Sequence, residues 1–246
     1  MKNAVIITAR SKSSRLPKKI LKKFEKNLRS IDILIRRAQY INLPIVLATT
    51  TKKSDDRLCK YVQTNYKIKI FRGDDKNKLL RWYKCFQKFR IKNACIIDGD
   101  DIFFDYNVYK KLIKHVKNYD ILSAHKSMVT GIFTHIISMS ALKKMYKYFI
   151  NDIDSEMIEP FTIKAKLKTK YIKLEKIYHN KKIRLTLDYI EDFKVFSILI
   201  KIFNTSSKTI DIMNYMLKNK KVANINYHRE SFWRKNQKKK INSIDI

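Results

Sequence analysis

Short apolar segments alternate with longer stretches of helical periodicity through the first half of the chain. The short segments, rich in β-branched residues, predict five strands at 3–8, 44–49, 67–71, 94–98 and 119–124. Apolar residues at helical spacing predict helices at 29–42, 77–89 and 107–117, and Asp55 and Asp56 open another. This alternation is typical of a parallel sheet with helices on both faces.

The second half of the chain is less regular. Strands are predicted at 131–138 and 183–187, and helices near 139–150, 155–165, 190–203 and 208–219. No linker rich in Gly, Ser or Pro divides the chain, so we predict one domain, 1–228, followed by a basic tail, 229–246. We expect the tail to be poorly ordered between Arg229 and Lys240.

Charge is the most unusual property of the composition. Lys and Arg number 55 against 22 Asp and Glu, giving a formal net charge of +33. Such a charge favours an anionic partner: nucleic acid, a membrane surface or a phosphorylated ligand. Compositional bias is the preferred explanation, because Lys, Ile and Asn are abundant throughout while Gly and Pro number 3 each. The basic residues of a nucleic-acid-binding patch would be clustered, whereas the Lys and Arg residues here are spread over the whole chain. No nucleic-acid partner is therefore expected.

Cysteine usage and hydropathy indicate a cytoplasmic location. Cys59, Cys85 and Cys95 are odd in number and lack the short spacing of zinc or redox sites, which favours a reducing compartment. No segment reaches the roughly 20 apolar residues of a membrane span. The apolar run at 4–9 is too short for a secretory signal.

The loop after the first strand, TARSKSSRLPKKIL (8–21), concentrates groups that bind phosphate. They are the cations Arg10, Lys12, Arg15, Lys18 and Lys19 and the hydroxyls of Ser11, Ser13 and Ser14. Open α/β sheets bind ligands at the carboxyl ends of their strands, so the position predicts a phosphate site. The Gly-x4-Gly-Lys-Ser/Thr pattern is absent, and a solvated basic loop is an equal alternative at this point.

Two acidic positions are candidates for a metal site. Asp98, Asp100 and Asp101 follow a buried strand, where Mg²⁺ is one explanation and a simple turn is the other. Asp188 precedes the helix at 190–203 and is either a metal ligand or the N-cap of that helix. The histidines form no metal-binding set, although His125 ends a strand and could line a ligand pocket.

The basic loop resembles the N-terminal signature of the cytidylyltransferases that make CMP-activated sugars. These are the CMP-Kdo and acylneuraminate synthetases and, closest, the related spore-coat polysaccharide family. Residues that match its pattern in register are Ala9, Arg10, Ser13, Arg15, Leu16, Pro17, Lys19 and Leu21. Similar segments follow in order at 47–58, 71–86, 96–105, 155–160, 183–193 and 208–226. Lys12 and Lys18 stand where the family has glycine, and a positive φ there would strain a lysine.

The resemblance implies both a fold and a reaction. The fold is a three-layer α/β/α nucleotide-diphospho-sugar transferase (Rossmann-like) fold with a mostly parallel sheet. The reaction is a Mg²⁺-dependent transfer of CMP from CTP to a sugar acceptor, expected to be an acidic sugar such as an ulosonic acid. Pyrophosphate is released, and the product serves surface polysaccharide synthesis. Relatives are often dimers, which leaves a homodimer open.

Matching the family motifs position by position assigns the site. By resemblance the catalytic residues are Arg10, Arg15, Lys19 and Asp100, and the metal ligands are Asp100 and Asp188. The nucleotide-binding residues are Ala9, Arg10, Ser13, Arg15, Lys19, Ala48, Thr49 and Arg72. Residues 98–102 depart from the Gln-Gly-Asp-Glu-Pro of many synthetases, which leaves the acceptor open.

Two other hypotheses remain: a degenerate family member, and a non-catalytic basic protein that binds anions or nucleic acid. The hypothesis of a binding protein relies on the aromatic and basic residues at 231–240. It predicts that deleting 229–246 abolishes retention on heparin, whereas the hypothesis of an enzyme predicts that turnover survives the deletion.

Overall fold

The computed structural model describes residues 1–13, 15–148 and 154–244. Its strands are β1 (Asn3–Thr8), β2 (Ile45–Thr50), β3 (Lys69–Gly73), β4 (Asn93–Asp98), β5 (Ile121–Ala124), β6 (His135–Ser138) and β7 (Thr169–Ile172). Its α-helices are α1 (Ser30–Gln39), α2 (Asp56–Asn65), α3 (Lys78–Phe89), α4 (Tyr106–Leu112), α5 (Met139–Tyr146), α6 (Glu159–Lys164), α7 (Ile190–Ile202), α8 (Thr209–Lys218), α9 (Lys220–Tyr227) and α10 (Arg229–Asn242). A short 3₁₀ helix, Lys19–Leu21, interrupts the basic loop.

The described strands form one seven-stranded sheet in the order β3-β2-β1-β4-β6-β5-β7. The pairs β1–β2, β1–β4, β2–β3 and β5–β7 are parallel, and β6 runs antiparallel to both of its neighbours. The carboxyl ends of β1, β2 and β4 therefore meet at one edge, because Thr8 lies beside both Ala48 and Asp98. The basic loop and the acidic turn both start from this edge.

Helices cover both faces of the sheet, since alternate residues of each central strand enter different apolar clusters. On β1, Val5 and Ile7 face a cluster that includes residues of α1, α2, α7 and α8, while Ala4 and Ile6 face α3, α5 and α6. Strands buried on both sides must be apolar at nearly every position, as these are. The predicted mostly parallel sheet between helical layers is confirmed.

The structure corrects three expectations in the second half of the chain. Residues 183–187 form no strand, because the extended segment bonds to loops, Leu185 N to Thr130 O and Leu187 N to Asp100 O, at 2.9 Å each. The strand predicted at 131–138 is confined to β6. Strand β7 was not predicted, since its Thr-Lys-Tyr-Ile sequence alternates weakly and lies at the sheet edge. The helix predicted at 139–150 is observed as α5, Met139–Tyr146, and its last two predicted residues, 149 and 150, lie outside the described residues.

The basic segment expected to be poorly ordered is instead helix α10. Glu230, in its first turn, is buried, and its carboxylate accepts hydrogen bonds from Thr130 at 2.6 Å and Arg184 at 2.8 Å. Lys240, near the other end, donates to Glu156 at 2.6 Å. Charge alone suggested a solvated tail, but these contacts join the helix to the rest of the chain. The division at residue 228 stays a prediction.

Candidate active site

A buried carboxylate holds the start of the basic loop against the sheet. Asp55 accepts a hydrogen bond from the Ser11 backbone N–H at 2.6 Å and another from the Thr49 hydroxyl at 3.0 Å. Although burial opposes it, hydrogen bonds from Thr50, Ser11 and Thr49 lower the pKa of Asp55. The ionised carboxylate thus fixes the backbone of the loop as it leaves β1.

A glycine allows the acidic turn to lie directly against the end of β1. Gly99 donates its N–H to Thr8 O at 2.8 Å, and a Cβ at this position would lie 2.9 Å from the Ala9 Cβ and 3.0 Å from Thr8 O. Both distances are shorter than van der Waals contact. The absence of a side chain at Gly99 therefore brings Asp98 and Asp100 beside the basic loop.

Two cations of the loop meet two carboxylates from distant parts of the chain. The Lys19 ammonium donates to Asp100 at 3.0 Å and to Asp188 at 2.8 Å, and Arg15 donates to Asp188 at 2.8 Å. Asp188 is almost fully buried, with 1% of its side chain exposed. We call Arg15, Lys19, Asp100 and Asp188 the ion cluster.

Charge in the ion cluster is distributed unequally between the two carboxylates. Burial works against ionisation of Asp188, but Lys19 and Arg15 outweigh it and lower the pKa of Asp188 to about 2. Burial, with help from Asp188 and Asp98, raises the pKa of Asp100 in spite of Lys19. Asp188 is thus the permanently ionised member, and a second cation would favour ionisation of Asp100.

Asp101 differs from its two acidic neighbours in having no ion-pair partner in the described part of the chain. Burial, followed by the charges of Asp100 and Asp98, raises the pKa of Asp101 well above its usual value. Its carboxyl also accepts a hydrogen bond from the Thr134 hydroxyl at 3.1 Å. Asp98 lies 3.7 Å from the Lys78 ammonium. Of the three acidic residues of the turn, Asp100 alone belongs to the ion cluster.

Asp188 is held in place by a second network behind it. Asp192, at the start of α7, accepts hydrogen bonds from the N–H groups of Asp188 and Tyr189 at 2.8 Å each. Its carboxylate also pairs with the fully buried Arg184 at 3.0 Å, and Arg184 pairs with Glu230 at 2.8 Å. Arg184 and Asp192 therefore position a member of the ion cluster.

The carboxylates of the cluster suit a hard divalent cation. One Asp188 oxygen, Oδ2, is buried without a hydrogen-bond partner among the described residues, and Arg184 Nη2 lies 3.7 Å from it. The described residues contain no group of three or more His, Cys, Asp or Glu side chains arranged for a metal. Mg²⁺ commonly binds through one or two carboxylates together with substrate phosphates, so two acidic ligands fit it.

A cavity of about 660 Å³ opens beside the ion cluster. Of the residues assigned from the sequence, those that line it are Ala9, Arg10, Ser13, Arg15, Lys19 and Asp100. Asp188 does not line the cavity itself, but it pairs with Arg15 and Lys19, which do. Arg10 is exposed and donates to Asp75 O at 3.2 Å, so its guanidinium is bound only weakly by the protein. A cavity of this size holds a drug-sized or nucleotide-sized ligand.

Three residues assigned to the nucleotide lie away from this cavity lining. Ala48 is buried in β2, and the buried Thr49 donates its hydroxyl to Asp55. Arg72 pairs with Asp56 at 2.7 Å and donates to Thr50 O at 2.9 Å. These contacts shape the strand end below the loop. Ser14, the remaining candidate hydroxyl, lies outside the described residues.

The two lysines at the family's glycine positions differ in backbone conformation. Lys18 has φ 55°, in the left-handed region, immediately before the 3₁₀ helix that carries Lys19. Lys12 is not among the described residues with positive φ. Strain from a missing glycine is therefore confined to Lys18, where it accompanies the turn that directs Lys19 into the cluster.

Sequence reasoning missed residues whose role depends on contacts distant in the chain. Asp55 had been assigned only to a helix start; its position after a buried strand ending in two threonines is the signal that could have found it. Helix α10 places Trp233, Arg234 and Gln237 in the cavity wall. Nothing in the basic, polar sequence of that segment indicated a packed helix.

Comparison with known proteins agrees with this geometry. A family model described as cytidylyltransferase matches residues 4–224. The chain belongs to this cytidylyltransferase family. The resemblance predicted from the basic loop is thus confirmed, and the match ends just before α10.

Two curated relatives and one solved structure show how this cytidylyltransferase family member compares. An uncharacterized protein of Methanocaldococcus jannaschii is 30% identical over 92% of this chain and 95% of its own. The spore coat polysaccharide biosynthesis protein SpsF of Bacillus subtilis is 24% identical over 77% of this chain and 82% of its own. A cytidylyltransferase structure from Leptospira borgpetersenii has a TM-score of 0.80 at 22% identity, covering 91% of this chain and 97% of that one.

The described residues contain no helix that could span a membrane. None of the helices there combines the length and the apolar composition that crossing a bilayer requires.

Proposed function

We propose that the protein transfers CMP from CTP to a sugar acceptor, an acidic sugar such as an ulosonic acid, with release of pyrophosphate. The observation that carries this proposal is the ion cluster, in which Arg15 and Lys19 meet Asp100 and Asp188 at the carboxyl edge of the sheet. Such a site offers cations for a triphosphate and carboxylates for its metal. The family match supports CTP as the donor.

In the proposed reaction an acceptor hydroxyl oxygen attacks the α-phosphorus of CTP. The new P–O bond forms as the bond to the β-phosphate oxygen breaks, the hydroxyl proton passes to solvent, and pyrophosphate leaves. Arg10, Arg15 and Lys19 bind the β- and γ-phosphates and balance the charge of the leaving group. When bound to Asp100 and Asp188, Mg²⁺ supplies Lewis-acid polarisation of the phosphate oxygens.

An acidic acceptor is supported by cations of the cavity wall that do not belong to the ion cluster. Lys126 and Arg234 both line the cavity, and Arg234 donates to the carbonyl oxygen of Lys126 at 3.1 Å. Their charges would attract a carboxylate on the acceptor. The Bacillus subtilis relative, named for spore coat polysaccharide biosynthesis, supports a role in surface polysaccharide synthesis.

A cytoplasmic reaction is part of the same proposal. Cys59, Cys85 and Cys95 are all free and buried, as is usual for proteins of a reducing compartment. The homodimer suggested by the resemblance also stays a prediction, which sedimentation of the purified protein tests.

Pyrophosphate release tests the proposal directly. The protein is incubated with Mg²⁺, each of the four nucleoside triphosphates, and a panel of eight- and nine-carbon acidic sugars, neutral sugars and polyol phosphates. We expect release with CTP and an acidic sugar, and a loss of about a hundredfold or more in Asp100→Asn, because the metal site loses a charged ligand.

The matched control is Asp211→Asn, which removes an exposed carboxylate on α8. It should release pyrophosphate at the wild-type rate. No release with any acceptor, together with CTP binding by calorimetry, would identify a degenerate family member. No release and no CTP binding would contradict the proposal and favour the hypothesis of a non-catalytic anion-binding protein.

A further inference from the structure

A chain of hydrogen bonds ends on His125, one of the residues that line the cavity. His125 follows β5 directly, and its Nδ1 lies 2.7 Å from the Ser127 hydroxyl. The same hydroxyl lies 2.7 Å from Nδ1 of His179. Neither Ser127 nor His179 has a role in the reaction as proposed above, so the arrangement calls for its own explanation.

Backbone donors determine where the imidazole protons lie. The Ser127 N–H donates to His125 Nδ1 at 3.2 Å, and the Leu174 N–H donates to His179 Nε2 at 3.3 Å. A backbone N–H can only donate, so both of these ring nitrogens are acceptors. A neutral His179 therefore carries its proton on Nδ1, and a neutral His125 carries its proton on Nε2.

The remaining hydrogen bonds then follow in one direction. His179 Nδ1–H donates to the Ser127 oxygen, which leaves the Ser127 O–H to donate to His125 Nδ1. Partial burial, with Lys173, His179 and Lys126, lowers the pKa of His125, so its ring is neutral at neutral pH. His125 thus presents an N–H at Nε2 and has no free lone pair.

The Nε2–H of His125 is available to a ligand. His125 lines the cavity, its Nδ1 is turned toward Ser127, and no residue in the described part of the chain hydrogen-bonds to Nε2. Neighbouring cavity residues Ser123, Thr169 and Tyr171 carry hydroxyls. Neutral hydrogen-bonding groups of this kind suit the oxygen atoms of a sugar.

We infer that His125 is a specificity-determining donor, whose Nε2–H binds an oxygen atom of the sugar acceptor, and that Ser127 and His179 are positioning residues that fix its tautomer. The inference rests on the proposed function and deepens it by naming a residue of the acceptor subsite. It excludes His125 as the base that deprotonates the attacking hydroxyl, since the only unprotonated nitrogen is occupied by Ser127.

Two substitutions at one position separate a donor from a base. The Gln amide nitrogen can replace Nε2–H, whereas Asn is too short and reaches only the Nδ1 position. We expect His125→Asn to raise the acceptor KM about tenfold, the value of one hydrogen bond, and His125→Gln to raise it far less. Neither should change the KM for CTP. Ser127→Ala should have a smaller effect than His125→Asn, because the backbone donor to Nδ1 remains.

His115→Asn, on an exposed surface of the chain, is the matched control and should leave both KM values unchanged. Equal losses of kcat in His125→Asn and His125→Gln, with acceptor KM unchanged, would show a base and overturn the inference. So would an unchanged acceptor KM in both variants. Wild-type protein without acceptor-dependent turnover would instead overturn the proposed function itself, before any variant is compared.

Nitrogen-15 NMR of the imidazole rings gives a readout independent of turnover. Protein labelled at histidine should show the Nε2–H form for His125 and the Nδ1–H form for His179, assigned with the His→Asn variants. In Ser127→Ala the His125 signals should move toward a mixture of tautomers. A dominant Nδ1–H form of His125 in the wild-type protein would overturn the relay.

Discussion

At the scale of single residues, the loop keeps its shape by accepting strain at one position. Lys18 has φ 55°, a conformation that costs a side-chain-bearing residue about 1–2 kcal/mol. The next residue, Lys19, begins a 3₁₀ helix and is the most heavily paired cation of the ion cluster. The strain at Lys18 therefore lies one residue from the group it helps to orient.

Lys18→Gly should raise the free energy of unfolding by about 0.5–1 kcal/mol, because glycine adopts positive φ without steric cost but loses more chain entropy on folding. Urea denaturation measures the change. Lys12→Gly is the matched control, since Lys12 is not among the residues with positive φ, and it should be neutral or destabilising. Equal effects of the two substitutions would show that the backbone at residue 18 is not strained.

At the scale of elements, α10 supports the site from behind. Its Glu230 completes the pairing of Arg184, whose side chain is fully buried and also contacts Asp192. Asp192 in turn holds the backbone N–H of Asp188. Deleting 229–246 should therefore damage the fold around the site, and it does not separate catalysis from anion binding as the sequence had suggested.

Glu230→Ala should lower the free energy of unfolding by about 3–5 kcal/mol, because it leaves part of the buried Arg184 charge uncompensated. Glu230→Gln, which retains hydrogen-bonding capacity, should cost less. Lys235→Ala, an exposed position on the same helix, is the control and should stay within about 0.5 kcal/mol of wild type. Chemical denaturation followed by circular dichroism measures all three, and a neutral Glu230→Ala would contradict the role assigned to α10.

At the scale of the whole molecule, charge opposes compactness. The net charge of +33 already counts every carboxylate, so ion pairs within the fold do not reduce it. Such an excess destabilises the folded state by self-repulsion, and dissolved salt screens it, with a Debye length falling from about 10 Å at 0.1 M to about 3 Å at 1 M.

The melting temperature should therefore rise as NaCl increases from 0.05 to about 0.5 M. Differential scanning fluorimetry measures it. KCl is the control, because screening depends on ionic strength and should give the same curve. A melting temperature that falls with salt would mean that attractive ion pairs, such as those of the ion cluster, outweigh the net repulsion.

The sequence by itself determined the layered α/β fold and the family. Strands buried on both faces must be nearly continuous apolar runs, so β1, β2 and β4 could be located from local pattern alone. Arg15, Lys19, Asp100 and Asp188 could be named because they match a motif in register. Residues that belong to a local motif or a local hydrophobic pattern can therefore be predicted from the sequence.

Only the tertiary structure decided which distant groups meet. Three contacts join segments that share no sequence pattern. Asp55 binds the basic loop, Glu230 pairs with Arg184, and His179 contacts Ser127, which in turn contacts His125. The strand expected at 183–187 was wrong for the same reason, since an apolar, β-branched segment pairs only where a strand edge is free to receive it. Periodicity records which way a residue faces, and the packing of the complete chain determines what it faces.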